Sequence, residues 1–316
     1  MSTDPWEADR PLTLETARAL VGARFPQVDA ASLVQIGSGW EFDVFRTADG
    51  WAFRFPRRAQ WANLFDQEAR VHRLVAPWLT EHVALPTLEL VGEPGPEFPY
   101  RFAAHRFIEG VPADSLDPAL LTALAHDIGA FLGVIHAIPE QAARAAGIVE
   151  HDASNTAANP WVRRCTESLA SRRGSDPLID RAADWLAEAI PLIRRFTGPL
   201  RFIHHDLAPG HLVVDPRTGR LKGVLDWTSS ILGDGARDFV FLVAWQGWPF
   251  VEQVLSSYPI AVDGAFRDRL RRSARFLTSL WLGEAHAKGR DLTRAERSVR
   301  NAFELPDAAE QESITR

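Results

Sequence analysis

The stretch Ile203–Ser230, IHHDLAPGHLVVDPRTGRLKGVLDWTSS, constrains this chain more than any other. Two apolar runs, Leu212 to Asp215 and Leu221 to Leu225, flank Pro-Arg-Thr-Gly and read as a β-hairpin, with a further short strand at Ile203. The hairpin lies within a half that otherwise reads as helical. Leu120, Leu121, Leu124, Ile128, Phe131, Leu132 and Ile135 recur at helical steps. Ser175-Asp176-Pro177 caps another helix, which runs through Trp185 to Ile193.

Before about residue 110 the pattern differs. A helix is expected from Thr13 to Ala23, on the stripe Leu14, Ala17, Leu20 and Val21. Short β-like runs follow at Leu33–Ile36, Val44–Thr47, Trp51–Phe55, Leu88–Val91 and Tyr100–Phe107, interrupted by a helix near residues 61–76. A small β-rich lobe followed by a larger helical lobe fits an enzyme whose site lies in a cleft between them.

Composition narrows the function. The 316 residues carry 35 Lys+Arg against 41 Asp+Glu, a formal charge of −6, so nucleic acid is not an expected partner. One cysteine, Cys165, excludes an internal disulfide and a thiolate zinc cluster. The N-terminus, MSTDPWEADRPLT, has no apolar core, and we find no run of about 18 apolar residues, so neither secretion nor a membrane partner is expected. A cytoplasmic monomer is the expectation. The 11 Trp leave core packing and ligand contact both open.

Within the hairpin stretch, His204-x-Asp206 is followed five residues later by His211, and twenty residues after Asp206 comes Asp226. This spacing resembles the catalytic loop of protein kinases and their small-molecule relatives, H-x-D-x-x-x-x-N, with a metal-binding Asp on the next hairpin. His211 at the Asn position and Asp226-Trp227-Thr228 in place of D-F-G are similar to the aminoglycoside and macrolide phosphotransferase family, above all its macrolide 2′-phosphotransferases. The resemblance implies an α+β, two-lobed protein-kinase-like fold, with a nucleotide-binding lobe over 1–108 and a catalytic, acceptor-binding lobe over 109–316. It implies Asp206 as the base for an acceptor hydroxyl and Asp226 with His211 as ligands of Mg²⁺, although imidazole is softer than the usual amide oxygen. His204 and Asp238 would brace the loop, and His205 replaces the usual Gly of H-G-D. A polar capping loop and a transition-metal hydrolase site are the other readings of this histidine-rich stretch.

The amino-terminal half supplies matching pieces. Gly37, Ser38, Gly39 and Val44 fit the loop that covers nucleotide phosphates. Trp51-Ala52-Phe53-Arg54 reads like V-A-I-K, with Ala52 under the base and Arg54 in place of Lys. Strand alternation sends Arg54 and Ala52 to one side and Trp51, Phe53 and Phe55 to the other. Leu64, Glu68, Val71 and Val75 share a helix face, so Glu68 points inward and needs a cationic partner, for which Arg54 is suited. An exposed Glu on a frayed helix is the alternative. In Ala103–Gly110, which includes His105 and Phe107, main-chain groups would read the base of GTP or ATP.

The acceptor is expected beyond residue 110. Residues 261–300 hold five acids and ten Lys or Arg, the opposite of what a polycationic acceptor calls for. Trp161, Trp245, Trp248 and Trp281 offer apolar surface, or else belong to the core. A small hydroxylated antibiotic is the expected partner, a macrolide first. An aminoglycoside, a nucleoside antibiotic, a metabolite alcohol, and nucleotide binding without turnover remain open.

Overall fold

In the computed structural model, which describes residues 8–79, 83–151, 156 and 158–304, the chain opens on α1 (Leu14–Arg24). The Thr13 hydroxyl caps it by accepting the Thr16 N–H at 3.1 Å, and Ala17, Leu20 and Val21 form its buried stripe. Next come β1 (Val34–Ser38), β2 (Phe42–Arg46), β3 (Trp51–Pro56), α2 (Leu64–Val75), β4 (Leu90–Gly92) and β5 (Phe102–Arg106). The strands form one antiparallel sheet of order β1-β2-β3-β5-β4. On β3 the expected alternation holds. Trp51, Phe53 and Phe55 join Phe45, Phe98 and Phe102 in a core under α1, while Arg54 turns to the opposite side with Phe42 and Phe65.

The larger helical part begins with the short β6 (Val111–Pro112), followed by α3 (Leu121–His136), α4 (Glu140–Ala145), α5 (Pro160–Ala170) and α6 (Pro177–Ala189). The expected helix to Ile193 stops at Ala189, because Pro191 lacks an N–H to continue the ladder and Ile190–Leu192 tighten into a 3-10 turn. Then come β7 (Arg201–Ile203), β8 (Leu212–Val214), β9 (Leu221–Val224), β10 (Ile231–Gly233), α7 (Val240–Ser256), α8 (Gly264–Lys288) and α9 (Thr293–Phe303). β8 and β9 form the expected hairpin and take β6 as a third strand. The strand at Ile203 pairs instead with β10, across the loop that the hairpin closes.

The expectation that no segment suits a membrane meets one exception. Among the described residues Pro118–His136 is long and apolar enough to cross one, but it is a core helix, with Leu124, Ile128, Leu132 and Ile135 fully buried and α7 packed against it. α7 is kinked where Gly247 takes φ +73° ahead of Pro249, a conformation that costs a residue with a Cβ. α5 and α8 approach so closely at Gly283 that an added Cβ would lie 2.4 Å from the Cys165 carbonyl oxygen. The amino-terminal part is tied to the hairpin region by hydrogen bonds that include the Gln67 amide to the Thr228 carbonyl at 2.5 Å and the Ala84 N–H to the Lys222 carbonyl at 2.8 Å.

Candidate active site

The loop between β7 and β8 is held from beneath by one carboxylate. Asp238 is fully buried; its Oδ2 accepts the His204 N–H at 2.9 Å and its Oδ1 the His205 N–H at 2.6 Å. Its Oδ2 also accepts His136 Nε2 at 3.0 Å, and His136 Nδ1 accepts the Tyr258 hydroxyl at 2.7 Å. Burial alone would raise the Asp238 pKa, but His136, His204 and the His205 N–H outweigh it and hold it low. His136 escaped the sequence reading because it lies on a helix face that reads as core, and Tyr258 because it lies just past the end of α7. His204 locks the same loop from within. Its Nε2 donates to the Leu225 carbonyl at 3.0 Å and its Nδ1 accepts the Asp206 N–H at 3.3 Å, and burial lowers its pKa to about 4.

Above this brace, Asp206, His211 and Asp226 converge, with one ligand atom from each lying within 4.8 Å of the others. His211 Nδ1 donates to the Asp206 carbonyl at 2.8 Å, which leaves Nε2 as a lone-pair donor 3.7 Å from Asp226 Oδ2. Asp226 sits in the left-handed region at φ +59° and accepts the Thr228 hydroxyl at 2.6 Å. The two carboxylates are pushed apart in acidity. Burial, with Asp226 and Asp238 nearby, raises Asp206 to about 6 against the pull of His211. Asp226 is also buried, but His211, Thr228, Arg54 and His204 together lower it. Two carboxylates and an imidazole nitrogen, preorganised and half-exposed, fit a divalent cation.

Gly37 and Ser38 end β1 and Gly39 opens the β1–β2 loop, which reaches the segment after Asp226 through Glu41 and Thr228. Arg57 shapes it: the guanidinium donates to the Ser38 hydroxyl and to the Gly39 carbonyl at 3.2 Å, lies 3.6 Å from Asp43, and the Arg57 N–H meets the Glu41 carbonyl at 2.8 Å. Val44 packs into the small cluster of Phe42 and Phe65. Glu41 faces inward, its carboxylate 3.4 Å from the Thr228 hydroxyl, and burial together with Asp226 raises its pKa to about 7. Neither Glu41 nor Arg57 stood out in the sequence, since each gains its place only when the loop folds over the hairpin.

Arg54 and Glu68 form the expected pair. Both terminal guanidinium nitrogens reach the carboxylate, Nη1 at 3.1 Å from Oε1, and Glu68 is fully buried. Burial pushes Glu68 up and Arg54 offsets it, while Arg54 stays charged. Glu68 also accepts the Trp227 N–H, so the pair is joined to the segment carrying Asp226. Ala52 lies opposite His105 in the sheet register. His105 is buried, donates Nδ1 to the Arg106 carbonyl at 2.9 Å, and is lowered to about 4 by burial and then by Arg54. The Phe107 N–H donates to the Gly50 carbonyl at 2.9 Å, so this main-chain group is already engaged, and the Phe107 ring lies 3.8 Å under the Arg46 guanidinium. Main-chain reading of a base at Phe107 therefore has no free N–H.

The four tryptophans divide. Trp248 belongs to the main core, its exposure only 8%, and Arg271 covers its ring. It offers almost no surface to an acceptor. Trp161, Trp245 and Trp281 are half-buried: Trp161 in the first turn of α5, Trp245 against Phe250, and Trp281 on α8 with its ring 5.1 Å from Phe241.

Comparison with known proteins agrees with the fold. The model of a family described as phosphotransferase enzymes matches residues 32–281. The solved GDP complex of a wild-type aminoglycoside 2′-phosphotransferase-IIIa superposes with a TM-score of 0.71 at 20% identity, covering 93% of this chain and 98% of that one. The macrolide 2′-phosphotransferase MphH from Brachybacterium faecium, as apoenzyme, gives 0.61 at 23% identity, covering 94% and 99%. Among curated proteins, the uncharacterized protein YcbJ of Bacillus subtilis (strain 168) is 50% identical over 38 residues, so the match spans 12% of each chain.

Proposed function

The chain belongs to the phosphotransferase enzyme family, and from that premise we propose that it moves the γ-phosphate of GTP or ATP to a hydroxyl of a small-molecule antibiotic, a macrolide first. The observation that carries the reading is the convergence of Asp206, His211 and Asp226 beside a loop of phosphate-covering pattern. Asp206 acts as the base. Its raised pKa keeps it a competent acceptor for the hydroxyl proton while leaving it ionised near neutral pH. His204 and Asp238 hold the loop that presents it. Asp226 and His211 Nε2 would hold Mg²⁺, which when bound neutralises charge between the phosphates. Arg54 and Glu68 order the floor beneath the phosphates, and Gly37, Ser38 and Gly39 cover them, with Val44 and Ala52 shaping the base side.

The same reading assigns residues 1–108 to nucleotide binding and 109–316 to catalysis and acceptor binding, in a cytoplasmic monomer. Trp161, Trp245 and Trp281 are the aromatic candidates for the acceptor wall. Nucleotide binding without turnover is the second reading, favoured because Arg54 and His211 stand where the kinase pattern has Lys and Asn. Incubating the protein with Mg²⁺, GTP or ATP and a panel of macrolides, aminoglycosides and nucleoside antibiotics tests both. Gain of one phosphate by an acceptor supports the first; tight nucleotide binding with no phosphorylated acceptor supports the second.

A further inference from the structure

Among the described residues three non-glycines have positive φ, and one of them, His205 at φ +69°, stands directly before Asp206. A side chain with a Cβ is disfavoured there, and strain of this kind gathers at functional sites. The contacts of His205 indicate what the strain serves. Its Nε2 accepts Nη2 of Arg237 at 2.9 Å, its ring meets that of His151 edge-on at 5.6 Å, and the Ser229 carbonyl takes its proton.

Arg237 is unusual in turn. Its guanidinium is half-buried, its Nε is buried without a hydrogen-bond partner, and among the described residues no carboxylate lies within 4.0 Å of it. The two acids nearest in sequence are engaged elsewhere: Asp238 by the loop and His136, Asp234 by Arg269 at 2.7 Å. A cation whose hydrogen-bond partner is an imidazole, with Asp234 and Asp238 acting on it only through space, keeps donors free for a ligand. From Asp234 to Trp245 only Arg237, Phe241 and Trp245 are not buried. They recur every four residues, and Trp281 meets the middle one from across on α8. A cationic head bonded to the residue before Asp206 thus leads into a row of half-buried aromatics.

Resting on the phosphotransferase reading above, we infer that His205 and Arg237 are the specificity-determining pair of the acceptor site. Arg237 offers donors to oxygen atoms near the reacting hydroxyl, and His205 holds it there. Phe241, Trp245 and Trp281 take an apolar body. An acceptor with several ammonium groups meets repulsion in a site of reduced dielectric, whereas one with a single amine turns it toward solvent.

The test compares phosphate transfer from GTP to erythromycin and to kanamycin by the wild type, Arg237→Gln and His205→Asn. Asn tolerates the left-handed backbone, so the second variant keeps the loop folded if the first does not. The wild type is expected to prefer erythromycin. In Arg237→Gln the kcat/KM ratio of kanamycin over erythromycin rises about tenfold, through acceptor KM with the KM for GTP unchanged, and His205→Asn moves the same way by less. A wild-type ratio in both variants, or a wild type that prefers kanamycin, overturns the inference and leaves the phosphotransferase reading standing. No transfer by the wild type to any hydroxylated antibiotic overturns both.

Discussion

The Asp238 carboxylate holds the main-chain N–H of His205 at 2.6 Å, thirty-three residues away in the chain. This bond, with its twin to His204, fixes the backbone from which Asp206 projects. Asp238→Ala leaves two buried N–H groups and His136 without their acceptor. At about 1–3 kcal/mol for each unsatisfied buried group, the loss in urea-measured stability should be at least about 3 kcal/mol. Phosphate transfer should fall with it, while nucleotide affinity, measured by calorimetry, changes little. Full activity in a folded Asp238→Ala protein would show that the loop needs no brace.

Asp206→Asn keeps the shape of the side chain and removes the proton acceptor. Transfer to the acceptor should drop by about 10²–10⁴-fold. Nucleotide binding should stay within about twofold of wild type, since the loop is held through the main-chain N–H and carbonyl of residue 206, which the substitution keeps. Mass analysis of the acceptor measures the first and a fluorescent-nucleotide titration the second; undiminished transfer removes Asp206 from the base role.

Arg54→Met strands the fully buried Glu68 carboxylate. Breaking a buried pair from one side costs about 3–5 kcal/mol, and the double variant Arg54→Met/Glu68→Met should recover most of it, because it leaves no unpaired charge. Urea unfolding of the four proteins of this cycle measures the coupling. A double variant no more stable than Arg54→Met contradicts the pairing.

Two sets of buried groups act on stability in opposite directions as pH rises toward neutrality. His72 and His205 are lowered to about 3, and His105 and His204 to about 4, first by burial, so all four are neutral in the folded protein. Their stabilisation is complete above the unfolded pKa near 6.5 and is lost as pH falls from there through the folded values. Asp206 and Glu41 are raised to about 6 and about 7. They stabilise below the usual carboxylate pKa, and that contribution is lost as pH rises through 6 and 7. Thermal melts from about pH 4 to 8.5 should rise toward neutrality and level off above about pH 7, and Glu41→Gln should steepen the rise below about pH 7 by removing an opposing loss. An unchanged slope below about pH 7 in Glu41→Gln means that the loop carboxylate is solvated in the folded state.

Much of this molecule was determined by local pattern. The alternation of Trp51, Phe53 and Phe55 against Arg54 requires a two-faced strand, the face shared by Glu68 and Val71 requires an inward carboxylate, and both are as expected. The spacing of His204, Asp206, His211 and Asp226 lies within one hairpin and its approach, where chain connectivity alone keeps the groups near each other. Tertiary structure decided what connectivity could not. Glu41 faces the Asp226 segment only because the β1–β2 loop folds over Thr228, 187 residues on. His136 on α3 and Tyr258 just past the end of α7 join Asp238 from elsewhere in the chain, and nothing in the local pattern marks them as polar braces. The tryptophans make the same point: sequence supplied four equivalent aromatic candidates, and packing sent Trp248 into the core while leaving Trp245 and Trp281 part of their surface. Hydrophobic period dictates which way a side chain turns from its own element; what it meets there depends on the neighbouring element, which the period does not encode.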